Sequence, residues 1–254
     1  MPSVELYAFT CGELTIPHGF LIEGAKGKIR VPVPSYLIVH PRGRVLFDSG
    51  LHLEIQRNAT AHMGERGMRG TAFHFSAGDE VGARLASAAC DPAAITHVVN
   101  SHLHYDHCGG NAQLANADVV VQRREWEHAR ALPDDDPGYR RREFDTGQRL
   151  KLVDGELDLF GDGSVVCFPS YGHTPGHQSL RARTQRGEFV LCGDACYLRE
   201  SLEQLRLPGV IFDREAALAS LRRFQALAAA GARIQYGHDP AFWRSVPQAP
   251  LRLA

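Results

Sequence analysis

The hydrophobic pattern of the chain consists mainly of short apolar and β-branched runs separated by clusters of Gly, Pro, Asp and Asn. Runs of this length and composition are typical of β-strands, and the clusters between them are typical of turns. Strands are predicted over residues 4–10, 36–39, 44–50, 95–100, 117–122, 149–153, 157–160, 164–168, 179–184, 188–192 and 234–236. The pattern therefore predicts a sheet scaffold.

Helical spacing of apolar residues is confined to a few segments. It predicts helices over 80–89, 124–132 and 213–230, and Asp213 is a suitable N-cap for the last of them. Residues 51–78 contain many Gly, His, Met and Arg residues but no clear period. We therefore expect a long loop or an excursion over the mouth of a site, because loops this long inside compact domains are usually functional.

Length and composition limit the class of protein. The 254 residues suffice for one large domain, and no linker, repeat or low-complexity tract divides them, so we expect one domain over 1–254. Hydrophobic residues make up 44% of the chain, which excludes a disordered protein. Lys and Arg number 28 against 29 Asp and Glu, so nucleic acid is not an expected partner.

Nothing in the sequence predicts a membrane partner or export. No apolar run approaches the roughly 20 residues needed to span a bilayer, and Met1–Glu5 lacks the basic start of a signal peptide. The six cysteines are scattered rather than grouped as in a small disulfide framework: Cys11, Cys90, Cys108, Cys167, Cys192 and Cys196. We therefore expect reduced thiols and a cytoplasmic location.

The densest group of chemically active residues lies in Ser101–Gly110. Three of the 13 histidines and one aspartate fall within six residues, directly after a predicted strand. On extended backbone, His102 and His104 point the same way because the side-chain period is two, whereas Asp106 and His107 diverge from them. Stability does not account for such a cluster, but metal binding does, and one loop of this kind can supply two metal ions.

Three more ionisable residues follow predicted strands directly: His173, Asp194 and His238. Strand ends gathered on one rim of a sheet are where open sites are usually built, because rigid strands position accessible loops. Together with the first loop they make five His and two Asp, a set that suits zinc, iron, cobalt or manganese.

The chain resembles the metallo-β-lactamase superfamily and, within it, the N-acyl homoserine lactone lactonases. The resemblance is carried by the H-x-H-x-D-H run His102–His107, by Gly172–Leu180, by Gly193–Tyr197 and by Gly237–Asp239. It implies an α/β fold of the αββα type, in which two mixed β-sheets pack face to face with helices outside. It also implies a metal-dependent hydrolase acting on carboxylic esters.

The same resemblance implies a role for each candidate ligand. One zinc ion would be held by His102, His104 and His173, and a second by Asp106, His107 and His238. Asp194 would bridge both. A hydroxide shared by two such cations attacks the carbonyl of an N-acyl homoserine lactone, a quorum-sensing signal, and opens the ring to an N-acyl homoserine.

The remaining roles concern the substrate and the support of the site. We expect Tyr197 to donate to the carbonyl oxygen as negative charge develops, and Asp106 to pass the hydroxide proton to the leaving alkoxide. Tyr105, Phe73 and Phe75 are candidates for the wall that contacts the acyl chain. Two further residues are expected to support the site rather than bind metal: His177, and Asp48 if it does not simply hold its own turn.

Other functions on the same scaffold stay open at this point. They are a glyoxalase II-like thioesterase, a β-lactamase and a promiscuous phosphotriesterase; a nucleic-acid processing enzyme is disfavoured by the lack of basic charge. Segments 51–78 and 133–147 match no motif, so the preferred acyl length is open. The oligomeric state is open too, because 51–78 can pack over its own site or, in a homodimer, on a partner subunit.

Overall fold

The computed structural model describes residues 4–254; residues 1–3, on which the expectation of no export signal partly rests, lie outside it. The first seven strands form one sheet: β1 (Glu5–Pro17), β2 (Lys28–His40), β3 (Gly43–Phe47), β4 (Ala72–His74), β5 (His97–Val99), β6 (Asp118–Gln122) and β7 (Leu150–Val153). Their order is β4-β1-β2-β3-β5-β6-β7. The sheet is mixed, because β3, β5, β6 and β7 are parallel and the other pairs are antiparallel.

The remaining strands form a second sheet: β8 (Leu157–Asp158), β9 (Val165–Pro169), β10 (Gln178–Thr184), β11 (Gly187–Leu191) and β12 (Arg233–Gln235). Their order is β12-β11-β10-β9-β8, with β11 and β12 parallel and the rest antiparallel. The inner faces of the two sheets share one apolar core, in which Ile38 and Val120 of the first sheet pack with Leu180 and Phe189 of the second.

Helices cover the outer faces of both sheets. They are α1 (Glu54–Met68), α2 (Val81–Ser87), α3 (Tyr105–Cys108), α4 (Arg123–Ala131), α5 (Arg141–Phe144), α6 (Arg199–Glu203), α7 (Arg214–Ala229) and α8 (Pro240–Trp243). Leu85 of α2 and Trp126 of α4 pack on the first sheet, and Phe224 of α7 packs on the second. The predicted αββα sandwich of two mixed sheets is therefore confirmed, as is Asp213, whose side chain caps α7.

The first two strands are much longer than predicted, because β1 runs on to Pro17 and β2 already begins at Lys28 and includes Pro32 and Pro34. Thr10 pairs with Pro34 and Glu13 with Pro32, and the register shifts between these pairs. Proline cannot donate to a ladder, so a bulge is one of the few places where a strand accepts it. Gly12, at the bulge, has a φ of +96°.

The prediction of a loop over 51–78 is wrong in its secondary structure, because this segment forms α1 and β4. Its expected place is right, since Arg66, Arg69 and Thr71 line the cavity that also contains His104 and Asp106. The helix is broken at Asn58 and at Gly64, whose φ is +67°, so the apolar residues never follow one helical period. Distant residues hold it in place: Arg140 and Arg142 donate to the backbone carbonyls of Met63 and His62. Such contacts leave no trace in the local sequence.

Two further findings concern the cysteines and the helices. All six cysteines are free and buried, as the prediction of reduced thiols requires. Within residues 4–254, none of the helices combines the length and apolar character needed to cross a bilayer.

Candidate metal centre

The seven predicted ligands are brought together at one edge of the sandwich, where several strands end. Residues 102–107 follow β5, and His173 follows β9. Asp194 lies in a single 3-10 turn after β11, and His238 follows β12. Both sheets therefore contribute to the site, as expected for strand ends collected on one rim.

Three imidazole nitrogens converge in the first half of the site. Nε2 of His102 lies 2.9 Å from Nδ1 of His104, and Nε2 of His173 lies 3.2 and 3.1 Å from these two atoms. A tetrahedral zinc ion with Zn–N bonds of about 2.0–2.1 Å places its nitrogen ligands roughly 3.3 Å apart. The triangle of nitrogens therefore fits such an ion.

Asp194 faces both halves of the site. Its Oδ1 lies 3.2 Å from Nε2 of His107 and 3.1 Å from Nε2 of His238. Its Oδ2 points the other way and lies 3.5 Å from Nε2 of His173 and 3.9 Å from Nε2 of His102. Oδ2 of Asp106 completes the second half, 3.7 and 3.6 Å from the same nitrogens of His107 and His238.

Hydrogen bonds on the far side of the rings orient four of the five histidines. The partners of their outer nitrogens are Ser101 Oγ for His102 (2.9 Å), Asp48 Oδ2 for His107 (2.8 Å), the carbonyl of Pro32 for His238 (2.6 Å) and the Tyr197 hydroxyl for His173 (3.2 Å). Outer partners of this kind are typical of metal-binding histidines, because they fix the tautomer and aim the other nitrogen inward.

The electrostatics of the site also fit a cation. Burial lowers the pKa of His102, His104 and His173, which favours the neutral imidazole that a metal requires. Burial acts in the same direction on His107, but the nearby carboxylates outweigh it and hold the pKa of His107 well above its usual value. Nε2 of His107 and Oδ1 of Asp194 lie 3.2 Å apart but are not aligned for a hydrogen bond, so within the described chain these two buried atoms have no hydrogen-bond partner.

Tyr197 lies beside both halves of the site. Its hydroxyl is 3.2 Å from Nδ1 of His173, and its ring stacks on that of His238. Burial raises the pKa of Tyr197 well above its usual value, so the phenol stays protonated. If Nε2 of His173 faces a metal, its Nδ1 carries the proton and donates to the Tyr197 oxygen. The phenolic O–H is then free to donate into the cavity.

A cavity of about 570 Å³ opens above these side chains. Its floor includes Asp106 and His238, and Tyr105 forms part of its wall. The apolar part of the wall comes mainly from the β1–β2 hairpin and from one later loop: Leu14, Ile16, Phe20, Leu21 and Val210. Cavities of this size and character commonly hold small ligands.

Phe73 and Phe75 do not line this cavity. Phe75 is buried in the apolar cluster beneath the hairpin, and the ring of Phe73 lies 5.8 Å from that of Tyr105. The prediction that they form the acyl wall therefore lacks structural support. They lie on or next to β4, which pairs with β1, so they support Tyr105 and the hairpin rather than the cavity surface.

Comparison with known proteins places this site in a family. A profile of the metallo-beta-lactamase superfamily matches residues 29–238. The chain belongs to this superfamily. It is 34% identical to the N-acyl homoserine lactonase AttM of Azorhizobium caulinodans, with 98% of each chain covered. It is 28% identical to the N-acyl homoserine lactonase AiiA of Bacillus thuringiensis subsp. kurstaki, with 92% of this chain and 93% of that one covered.

Solved structures agree with these sequence matches. An N-acyl homoserine lactone hydrolase with the product N-hexanoyl-L-homoserine bound at its catalytic metal centre superimposes with a TM-score of 0.89 and 27% identity. The match covers 99% of this chain and 100% of that one. A variant of Bacillus thuringiensis AiiA with N-decanoyl-L-homoserine at its active site gives the same score at 26% identity. The predicted superfamily and lactonase resemblance are confirmed.

The two residues of this superfamily member that were expected to support the site both lie next to predicted ligands. His177 accepts from the backbone N–H of Asp194 through Nε2 (3.1 Å), and its Nδ1 lies 2.8 Å from Ser170 Oγ. Burial lowers the pKa of His177 to about 3, so it stays neutral in this role. Asp48 has a φ of +58° and accepts from both His107 and the backbone N–H of Ser101.

Replacing Asp48 by Asn is expected to weaken zinc binding by about 10–100-fold. Asparagine tolerates the positive φ, but its amide cannot accept from His107 and Ser101 as a carboxylate does. Zinc affinity is measured by competition with a chromophoric chelator, and Asp154→Asn, at an exposed position, is the matched control. Equal affinities for the two variants would show that Asp48 only holds its turn.

Several residues around the site were not predicted from the sequence to be part of it. Leu14 and Ile16 were missed because the strand was expected to end at residue 10, although their spacing of two places them on one face. Phe20 ends a single 3-10 turn, His18–Phe20, between β1 and β2, and Val210 lies in a bend; neither segment was predicted from the sequence. Glu125, a buried residue next to two ligand loops, was placed only as part of a short helix.

Proposed function

We propose that the protein is a metal-dependent lactonase that opens the ring of N-acyl homoserine lactones and releases N-acyl homoserines. The observation that carries the proposal is the seven-residue donor set at the floor of a largely apolar cavity, beside the protonated phenol of Tyr197. The similar proteins named above support the same substrate class. Because both sheets supply donors, the whole chain would act as one catalytic domain.

The donor set would hold two zinc ions. His102, His104 and His173 would bind the first. Asp106, His107 and His238 would bind the second, and the two oxygens of Asp194 would face one ion each. When bound, such a pair lowers the pKa of a water molecule and polarises the carbonyl to be attacked. A donor set made only of His and Asp side chains also accepts iron, cobalt or manganese.

The cavity would orient the substrate with its lactone ring on the floor and its acyl chain along the apolar wall. Leu14, Ile16 and Leu21 offer the chain a buried path from the floor. At the mouth, Phe20 is 42% and Val210 63% exposed. Large exposed apolar side chains at a cavity rim are typical of binding sites, and here they would contact the distal part of the acyl chain.

Two side chains would act on the reacting atoms. Asp106 faces His107 and His238 through Oδ2, which leaves Oδ1 to take a proton from the attacking water and to pass it to the leaving alkoxide. Tyr197 would donate its O–H to the lactone carbonyl oxygen as negative charge develops there. Ring opening needs both groups, because the leaving alkoxide must be protonated and the oxyanion must be stabilised.

Tyr197→Phe is expected to lower kcat for lactone hydrolysis by about 10²–10³-fold, the usual cost of removing one oxyanion donor. KM should change little, because the ring of Phe keeps the packing on His238. Steady-state kinetics on a single N-acyl homoserine lactone measure both constants. A kcat within twofold of the unaltered protein would reject the donor role.

The proposed activity is tested by a substrate panel. N-acyl homoserine lactones of several chain lengths are compared with lactoylglutathione, a β-lactam and paraoxon, each assayed with zinc-loaded protein. We expect the highest kcat/KM for a lactone. A dominant kcat/KM for the thioester, the β-lactam or the phosphotriester would replace the proposed function by the corresponding alternative.

A further inference from the structure

A buried carboxylate that the proposed chemistry does not use lies between the two main ligand loops. Glu125 is in the first turn of α4 and is 0% exposed. Burying a carboxylate is costly unless hydrogen bonds compensate for the lost water. Its hydrogen-bond donors are all neutral backbone N–H or side-chain O–H groups. These three hydrogen bonds therefore hold the Glu125 carboxylate in its buried position.

Glu125 connects loops that leave different sheets. Its Oε1 accepts from the backbone N–H of Leu103 at 3.1 Å, and its Oε2 accepts from the backbone N–H of Gly176 at 3.0 Å. Leu103 separates the ligands His102 and His104 after β5 of the first sheet. Gly176 follows His173 by three residues, after β9 of the second sheet. One carboxylate thus joins the two loops that supply the first three nitrogens.

The approach of the second loop to Glu125 is unusually close. A Cβ atom at Gly176 would lie 2.2 Å from the backbone nitrogen of Glu125 and 2.6 Å from its Cα. Only glycine permits this contact, so the loop carrying His173 rests directly on the helix that carries Glu125. The spacing of the two loops is therefore fixed at this point.

A third bond extends the network to His104. The Tyr139 hydroxyl donates to Oε1 of Glu125 at 3.0 Å, and the Tyr139 ring packs edge-on against His104 with centroids 4.6 Å apart. The two residues also form an isolated backbone bridge. Among the five histidines, His104 is the one whose outer nitrogen forms no hydrogen bond within residues 4–254. Packing on Tyr139 takes the place of that bond.

We infer that Glu125 is a positioning residue that sets the spacing of His102, His104 and His173, and through it the affinity of the first metal position. The inference rests on the proposed function only in taking these residues as ligands. Glu125 touches neither substrate nor metal. It acts through the backbone of both loops and through Tyr139.

Glu125→Gln tests the inference with little change of volume. The glutamine amide presents N–H groups to neighbours that are themselves donors, so at least one of the three bonds is lost. We expect zinc affinity to fall by about 10–100-fold, as for other groups that orient ligands. The kcat for a lactone should fall while KM changes little. Glu127→Gln, an exposed glutamate on the same helix, is the matched control.

Two measurements separate positioning from simple stabilisation. Zinc affinity by chelator competition and the visible spectrum of the cobalt-substituted protein both report on ligand geometry without any lactone. Leu180→Ala leaves a cavity in the core between the sheets and so lowers stability away from the site. It serves as the comparison for a loss of stability alone. A Glu125→Gln protein that melts like Leu180→Ala but binds zinc within twofold of the unaltered protein would overturn the inference.

The remaining outcomes are also decisive. If Glu125→Gln does not fold, Tyr139→Phe removes only one arm of the network, and a cobalt spectrum and zinc affinity unchanged in that variant would count against the inference. If the unaltered protein binds zinc and Glu125→Gln weakens it, but no lactone is hydrolysed, the proposed function fails and the positioning role stands. If the unaltered protein binds no zinc, both fail.

Discussion

Replacing Asp106 by Asn is expected to lower kcat/KM for lactone hydrolysis by about 10²–10⁴-fold, the usual contribution of a general acid–base group. The side chain keeps its shape and one oxygen that can face the metal position between His107 and His238. It loses the ability to accept a proton and to return it to the leaving alkoxide. Zinc should therefore remain partly bound while turnover collapses.

The experiment measures kcat and KM beside the zinc content of the same samples. Asp135→Asn is a suitable control, because Asp135 is an exposed carboxylate paired with Arg66 near the cavity mouth. An Asp106→Asn protein with an unaffected rate would reject the proton-transfer role. A protein that has lost all zinc would show instead that Asp106 acts mainly as a ligand.

Asp194→Ala is expected to have an equally large effect through the metals themselves. Asp194 is the residue whose two oxygens face opposite halves of the site, at 3.1 and 3.2 Å from one pair of histidines and 3.5 and 3.9 Å from the other. Removing it leaves each half with three donors and no shared anion. We expect about one zinc ion or fewer per chain instead of about two, and a loss of kcat/KM of roughly 10³-fold or more.

Zinc content after dialysis, circular dichroism and kcat/KM are measured together for Asp194→Ala. Circular dichroism should match that of the unaltered protein, because both sheets keep their shared core. Two retained zinc ions with normal activity would contradict the bridging role. A matched substitution is Asp162→Ala, at a carboxylate in the turn between β8 and β9 that lies outside the ligand set.

The residues that converge at the site were easier to predict from the sequence than their surroundings, for a physical reason. The run 102–107 packs four donors into one loop, so the signal is local and needs no tertiary information. Asp194 and His238 are single residues after strands, and only the family resemblance gave them roles. Oδ1 of Asp194 lies 3.1 Å from Nε2 of His238 because β11 pairs with β12. It lies 3.2 Å from Nε2 of His107 because the two sheets pack together.

The cavity wall could not be predicted in the same way. Its apolar residues come from a hairpin whose length depends on a bulge and from a loop near residue 210. Phe73 looked suitable because it is apolar and lies in the segment expected over the site mouth, yet in the structure its ring packs beside Tyr105 and does not line the cavity. Glu125 gave no signal, because a glutamate in a helix is ordinarily solvated and its burial depends on Gly176.

The proposed mechanism requires this donor set to hold two metal ions. Crystals of the zinc-loaded protein, with anomalous diffraction measured on both sides of the zinc edge, would show how many ions bind and where. We expect two zinc peaks, one bound by His102, His104 and His173 and one bound by Asp106, His107 and His238, with Asp194 between them. A single peak, or zinc bound away from these side chains, would be incompatible with a two-metal mechanism.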